Sequence, residues 1–142
     1  MRVTDIMTPD PACCTPETSL PEVARLMVDC DCGEIPVVDN PESRKLSGVV
    51  TDRDIVVRTV AVDKNPADCT ASDVMSTPAI TVSEDADLQE CEEKMERHQI
   101  RRIPVLDDQE RLCGIVSQAD IARQAGTQET AEVVKEVSQP RH

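Results

Sequence analysis

The chain has 142 residues, with 28 acidic against 15 basic side chains and no Phe, Tyr or Trp. This length fits a compact domain with an aliphatic core, and a formal net charge of −13 argues against nucleic-acid and anionic-membrane partners. Because the sequence contains no transmembrane-length apolar stretch and no apolar leader, we expect a soluble, cytoplasmic protein.

The chain contains an internal repeat. Residues 5–39 align with 73–107 at a constant shift of 68, and residues 46–55 align with 112–121 at a shift of 66. The matched segments are DIM with DVM, IPVVD with IPVLD, and LSGVVTDRDI with LCGIVSQADI. A repeat of this length predicts two copies of one structural unit. The predicted organisation is repeat 1 at 1–62, a connector at 63–72, repeat 2 at 73–126 and a tail at 127–142.

Each copy predicts the same order of elements. A short strand near 12–15 or 79–82 precedes a helix, and S-x-x-E after Ser19 and D-x-x-E after Asp87 resemble capping boxes. Two apolar runs joined by a polar turn predict a β-hairpin, and a second helix follows over RDIVVRTVAV or ADIARQAG. The tail predicts either a terminal helix or a frayed end from an apolar stripe at Ala131, Val134 and Val137.

These elements predict an α/β (α+β) fold of two β-α-β-β-α repeats. One unit of this size has too little core to stand alone, so we expect the copies to pack about a pseudo-twofold axis. Two clefts related by that axis are then the natural place for a small ligand.

A hydroxyl and a carboxylate three residues apart begin the second helix of each copy, as Thr51 with Asp54 and as Ser117 with Asp120. An ionised carboxylate can accept hydrogen bonds from the two adjacent hydroxyls of a ribose. The same spacing also suits an ordinary N-terminal helix cap, with Thr51 or Ser117 as the cap. Both interpretations remain open from the residues alone.

The motifs as a set resemble a tandem pair of CBS domains, the cystathionine β-synthase type, together called a Bateman module. D-[IV]-M, I-P-V-[VL]-D and G-[VI]-V-[TS]-x-x-D-I each occur twice and in the same order, over roughly residues 2–124. The resemblance implies a non-enzymatic regulatory or sensor module without an obligatory cofactor. It also implies an adenosine-containing ligand (AMP, ADP or ATP before S-adenosylmethionine or NAD), a homodimer and a regulated partner protein.

The resemblance assigns each cleft to residues of both copies. The cleft expected to bind more strongly has a ribose carboxylate, guanidinium groups for phosphate and aliphatic contacts to adenine, from Asp54, Thr51, Val49, Ile80, Arg101 and Arg102. The cleft expected to bind more weakly, because Glu34 would repel phosphate, comprises Asp120, Ser117, Ile115, Ala12, Gly33 and Arg53. The alternative for the two arginines is surface pairing with Asp107, Asp108 or Glu96.

The remaining motifs favour neither a metal site nor catalysis. The close cysteine pairs lack C-x₂-C spacing, a Cys30–His98 site is disfavoured, and no phosphate-cradling or nucleophile motif occurs. Most of the seven cysteines are expected to be reduced core residues. A disulfide among Cys13, Cys14, Cys30 and Cys32 would instead support a redox-responsive or structural dimeric interaction protein with empty clefts.

Overall fold

The computed structural model of the protein describes residues 1–124, so the predicted tail lies outside the described residues. Strands and helices are mixed along the chain, as the predicted α/β (α+β) class requires. In chain order they are β1 (Thr8–Pro9), α1 (Leu20–Cys30), β2 (Glu34–Val38), β3 (Leu46–Thr51), α2 (Asp52–Arg58), α3 (Ala71–Val74), β4 (Val82–Ser83), α4 (Leu88–His98), β5 (Arg102–Leu106), β6 (Leu112–Ser117) and α5 (Gln118–Gln124).

The chain forms two compact units whose limits are offset from the sequence repeats. The first unit is the continuous segment Ala12–Ala79. The second unit combines Met1–Pro11 with residues 80–124. The first residues of each predicted repeat, 1–11 and 73–79, therefore belong to the compact unit of the other repeat.

A two-stranded antiparallel hairpin organises the first unit. Strands β2 and β3 pair with Ile35 opposite Val50, and the register shifts between Val37 and Val38. The strand predicted at 12–15 is reduced to one bridge, in which the Cys14 amide donates to the Pro36 carbonyl at 3.0 Å. The unit has an aliphatic core, as the composition predicts, formed by Cys14, Leu20, Val23, Ile35, Val37, Val50, Cys69, Ala71 and Val74.

The second unit repeats this hairpin within a larger sheet of order β1-β6-β5-β4. Strands β5 and β6 are antiparallel, with Ile103 opposite Val116. Strand β1 pairs antiparallel with β6, and β4 pairs parallel with β5. The strand predicted at 79–82 is present as Val82–Ser83. The unit buries Val3, Val82, Leu88, Cys91, Met95, Ile103, Val105, Val116 and Ile121.

The first helix of each unit begins where the sequence predicts, but neither predicted capping box is reciprocal. Ser19 caps α1 by accepting the Glu22 amide at 3.4 Å. Asp87 occupies the N-cap of α4, and its side chain makes no cap hydrogen bond among the described residues. Both helices end at a non-glycine residue in the left-handed region, Asp31 (φ 52°) and Gln99 (φ 51°). None of the helices in residues 1–124 is both long and apolar enough to span a membrane.

A carboxylate at the end of each IPV-x-D motif organises the hairpin turn. Asp39 accepts the amides of Asn40 at 2.7 Å and Lys45 at 3.1 Å. Asp107 likewise accepts the amides of Gln109 and Arg111, each at 2.9 Å. The final Asp of the motif therefore satisfies backbone donors that the turn would otherwise leave to water.

Candidate functional site

Thr51 and Asp54 form a reciprocal capping box at the start of α2. The Asp54 amide donates to Thr51 Oγ1 at 3.0 Å, and the Thr51 amide donates to Asp54 Oδ2 at 3.1 Å. This satisfies two backbone donors at the helix start. The capping interpretation is therefore correct for these residues, and it leaves part of the carboxylate for other partners.

A second hydroxyl reaches the Asp54 carboxylate from outside the helix. Ser76 Oγ donates to it, at 3.2 Å from both Oδ1 and Oδ2. Arg58 Nε lies 4.0 Å from Oδ1, while the same guanidinium donates to the Met75 carbonyl at 3.3 Å. The Asp54 side chain keeps 13% of its surface exposed. Since a carboxylate offers about four acceptor positions, Asp54 retains capacity for a ligand hydroxyl.

Close backbone contact between β3 and the segment after α3 brings Ser76 to Asp54. The Val49 amide donates to the Ser76 carbonyl at 3.1 Å, and the Ser76 amide donates to the Val49 carbonyl at 2.8 Å. A Cβ on Gly48 would lie only 2.6 Å from the Ser76 carbonyl oxygen. The glycine of the G-[VI]-V motif therefore permits this approach.

Ser117 and Asp120 form the equivalent box at the start of α5. The Ser117 amide donates to Asp120 Oδ2 at 2.9 Å, and the Asp120 amide donates to Ser117 Oγ at 3.1 Å. Here the other carboxylate oxygen binds the Arg123 guanidinium from the same helix. The Asp120 side chain is only 7% exposed. Its charge is thus paired directly, whereas the guanidinium nearest to Asp54, that of Arg58, has its Nε 4.0 Å from the carboxylate.

The other residues predicted for the two clefts are divided between the units. Val49, Gly33, Arg53 and Ala12 lie in the first unit, whereas Ile80, Arg101, Arg102 and Ile115 lie in the second. Arg53 and Ala12 are exposed, Ile115 is buried, and the aliphatic side chains of Val49 and Ile80 are half-buried.

The two arginines of the second unit lie beside the Ser117–Asp120 box of that unit. In the β-hairpin, Arg102 is opposite Ser117, and the Arg101 carbonyl accepts the Gln118 amide at 2.8 Å. The counterparts in the first unit are Glu34, opposite Thr51, and Gly33, whose carbonyl accepts the Asp52 amide at 3.0 Å. Asp107, Asp108 and Glu96 were the surface partners considered for the arginines, and of these Asp107 pairs with Arg111 at 2.9 Å.

Sequence reasoning missed three side chains that contact the box carboxylates: Ser76, Arg58 and Arg123. A signal for Ser76 existed, since D-[IV]-M is followed by a hydroxyl residue in both copies, Thr8 and Ser76. Arg123 lies one turn after Asp120 on the same helix face, which is a spacing typical of ion pairs. Among residues 1–124, no group of three or more His, Cys, Asp or Glu side chains is arranged to hold a metal ion.

Comparison with known proteins identifies the family. The family model described as "CBS domain" matches residues 3–60 and 71–126, which together cover most of the chain. The chain belongs to the CBS-domain family. The two matches correspond to the two repeats, and the Thr51–Asp54 and Ser117–Asp120 boxes each lie inside a CBS domain.

Relatives of similar length align with most of this chain. Protein YlbB of Bacillus subtilis is 39% identical over 92% of this chain and 86% of its own length. Hypoxic response protein 1 of Mycobacterium tuberculosis is 35% identical over 96% of this chain and 93% of its own. A crystal structure of hypoxic response protein I with two coordinated zinc ions aligns with a TM-score of 0.78 and 36% identity, covering 89% of this chain and all of that one.

A further structural neighbour contains adenosine compounds. It is the CBS domain pair of protein MJ0100 in complex with 5′-methylthioadenosine and S-adenosyl-L-methionine. It aligns with a TM-score of 0.76 and 29% identity, and covers 89% of this chain and all of that one. The CBS pair of this chain is thus similar to one whose crystal structure contains these two compounds.

Proposed function

We propose that this protein is a non-enzymatic regulatory module that binds an adenosine-containing ligand, with AMP, ADP or ATP as the favoured class. The observation that carries the proposal is the Asp54 carboxylate. It is fixed by Thr51 and Ser76, yet it is partly exposed. A fixed acceptor of this kind suits the adjacent hydroxyls of a ribose, because little ordering is needed on binding.

The similarity to the CBS pair of MJ0100 supports the adenosine part of this proposal. The two ligands named for that protein share a ribose and an adenine. The half-buried Val49 and Ile80 are proposed to contact the adenine, which replaces the aromatic stacking that this chain cannot supply.

The preference for a nucleotide over an uncharged nucleoside rests on Arg101 and Arg102. We assign these guanidinium groups to the phosphate because they stay charged and match phosphate oxygens bidentately. The family resemblance pairs them with the ligand at Asp54, whereas the hairpin register sets Arg102 opposite Ser117. The experiment below therefore includes both aspartates.

Regulation would follow from ligand-dependent stabilisation of one conformation. A ligand that binds the folded state alone stabilises it by about 2.7 kcal/mol at a hundred times its Kd. We propose that a homodimer passes this bias to a partner protein.

A thermal-shift panel with AMP, ADP, ATP, S-adenosylmethionine and NAD tests the proposal. A dye or calorimetry is needed because the chain has no Trp or Tyr. We expect at least one nucleotide to raise the Tm, with the rise abolished in Asp54→Asn and reduced in Arg102→Ala. The matched control is Asp52→Asn, which removes an exposed carboxylate two residues away.

Asp120→Asn identifies the aspartate that shares the ligand with Arg102. If Asp54 and Arg102 bind one ligand, Asp120→Asn leaves the nucleotide-dependent rise in Tm nearly unchanged. If Asp120→Asn abolishes the rise and Asp54→Asn does not, the site is assigned to the Ser117–Asp120 box. Unchanged melting with every compound would refute the proposed function.

A further inference from the structure

The turn between α1 and β2 contains two cysteines that the structure joins. Cys30 and Cys32 form a disulfide across one intervening residue, with their Cα atoms 5.4 Å apart, a separation usual for disulfides. The residue between them, Asp31, adopts the left-handed conformation that ends α1. This turn directs both side chains towards each other.

In the reduced form, both thiols have backbone hydrogen-bond acceptors in the same turn. Cys30 Sγ lies 3.9 Å from the Met27 carbonyl, and Cys32 Sγ lies 3.6 Å from the Glu34 carbonyl. A thiol at either position can therefore donate to the backbone without a large movement. The turn accommodates the oxidised and the reduced pair.

The cysteines differ in accessibility and in thiol pKa, and Cys13 and Cys113 are half-buried. Cys14, Cys69 and Cys91 are buried, and burial raises the pKa of the Cys14 and Cys91 thiols to about 12. Burial also raises the pKa of Cys113 to about 11, helped by Glu84. By contrast, Cys30 is exposed and Cys32 is half-buried. Since thiolates are the nucleophiles in disulfide exchange, these three high-pKa thiols are poor competitors.

An open cavity of about 450 Å³ lies beside Cys32. Its walls combine an apolar side from the end of α1 with two carboxylates, and the lining residues are Met27, Val28, Asp31, Cys32, Gly33 and Asp52. This volume is within the range of small-molecule sites. The carboxylates disfavour anionic molecules and favour neutral or cationic ones.

We propose that Cys30 and Cys32 are a dithiol–disulfide exchange site for low-molecular-weight disulfides of neutral or cationic character. The Cys32 thiolate attacks one sulfur of R–S–S–R and expels R–S⁻, which leaves a mixed disulfide on Cys32. The Cys30 thiolate then attacks the Cys32 sulfur and expels the second R–S⁻. The two thiol protons end on two R–SH, and the two electrons lost by the protein reduce the small disulfide.

The exchange site is connected to the Thr51–Asp54 box by short backbone links. The Gly33 carbonyl, next to Cys32, accepts the Asp52 amide, and Glu34 pairs with Thr51. Oxidation restrains the turn that holds Gly33, so it is expected to favour the formed box. This regulatory part rests on the proposed function, whereas the exchange chemistry does not.

The test oxidises the reduced full-length chain with cystamine, hydroxyethyl disulfide or glutathione disulfide, which are cationic, neutral and anionic. Alkylation followed by peptide mapping should show loss of two alkylation sites at Cys30 and Cys32 without a retained adduct. The rate should fall in the order given, and added salt should reduce the differences. Cys30→Ser should accumulate a mixed disulfide on Cys32.

A pair of charge variants tests the role of the cavity. Asp31→Asn keeps a residue that tolerates the left-handed conformation and should reduce the preference for cystamine over glutathione disulfide severalfold. Asp29→Asn, outside the cavity lining, is the matched control and should leave the preference nearly unchanged. Separate adducts on the two cysteines, or no Cys30–Cys32 bond, would overturn the exchange site. Equal rates for the three disulfides would overturn the charge selectivity.

Nucleotide melting shifts in the oxidised and reduced protein separate the two proposals. A larger shift after oxidation supports the link to the box, and equal shifts refute that link. If no nucleotide shifts the Tm in either state, the proposed function fails while the exchange chemistry stands on the mapping result.

Discussion

The Thr51–Asp54 box of the first unit and the Ser117–Asp120 box of the second have the same backbone geometry but different carboxylate partners. Asp54 receives a neutral hydroxyl from Ser76 and has Arg58 Nε at 4.0 Å, whereas Asp120 is hydrogen-bonded directly to Arg123 of its own helix. The hydroxyl fixes Asp54 while its ion pair with Arg58 is long, and the guanidinium of Arg123 pairs the charge of Asp120 at close range. Both units have thus retained the helix cap. They differ in the other side chains that contact the carboxylate.

The largest expected difference between the units is in the stability cost of replacing the glycine of the G-[VI]-V motif, which is Gly48 or Gly114. Gly48→Ala should destabilise the protein by about 2 kcal/mol, because its Cβ meets the Ser76 carbonyl, which is held by two backbone hydrogen bonds. Gly114→Ala should cost less, about 1 kcal/mol, since its Cβ meets the flexible Met7 side chain.

Urea unfolding followed by circular dichroism measures both glycine variants against the parent chain. An equal or larger loss for Gly114→Ala would show that Met7 cannot adjust. Both segments would then be rigidly packed.

Loss of the capping hydroxyls is expected to have a smaller and also unequal effect. Ser117→Ala should cost about 1–2 kcal/mol, because Ser117 is 8% exposed and the Asp120 amide would lose its acceptor in a buried site. Thr51→Ala should cost about 0.5–1 kcal/mol, since Thr51 is only half-buried and water can replace the hydroxyl. Thermal unfolding measures both, and Ser117→Thr and Thr51→Ser, which keep the hydroxyl, should recover most of the loss.

The smallest expected difference is at the hairpin turns, where the two copies should behave alike. A hydrogen bond from Ser43, followed by the amides of Asn40 and Lys45, lowers the pKa of Asp39. For Asp107, partial burial acts to raise the pKa, but hydrogen bonds from Arg111 and Gln109 outweigh it, so this pKa is also lowered.

A lowered folded-state pKa sets the pH range of this effect. Each carboxylate stabilises the fold above its unfolded pKa of about 3.9, and this contribution is lost as the pH falls through the lower folded-state value. Asp39→Asn and Asp107→Asn should therefore lower the Tm near neutral pH, and the deficit should shrink below about pH 4. A deficit that persists unchanged in acid, or that occurs in one copy alone, would contradict this expectation.

Features fixed by local pattern could be predicted from the sequence. The hairpins and the first helix of each copy follow from apolar spacing and polar turns, and Thr51 and Ser117 were recognised as possible caps. The boxes predicted at Ser19 and Asp87 were wrong as reciprocal boxes, because their local motifs do not determine side-chain direction. The Cys30–Cys32 pairing was one of several open possibilities, since spacing alone does not determine the turn.

Features that depend on distant segments could not be predicted. Ser76 contacts Asp54 from 22 positions along the chain, and only the fold brings the hydroxyl that follows D-V-M to β3. The offset between the sequence repeats and the compact units could not be predicted either. The alignment of the two copies is the same whichever compact unit the first residues of each copy join. Arg123 was within the reach of sequence reasoning through its spacing from Asp120.

The second unit is formed by two separate segments of the chain, which has a consequence for folding during synthesis. The first unit is continuous, so a ribosome completes all of its strands before β4 emerges. Of the strands in residues 1–124, β1 is made first, yet its partner β6 is made last. The N-terminal segment must therefore remain unpaired while the first unit folds, and the nascent chain closes its second core only when β6 arrives.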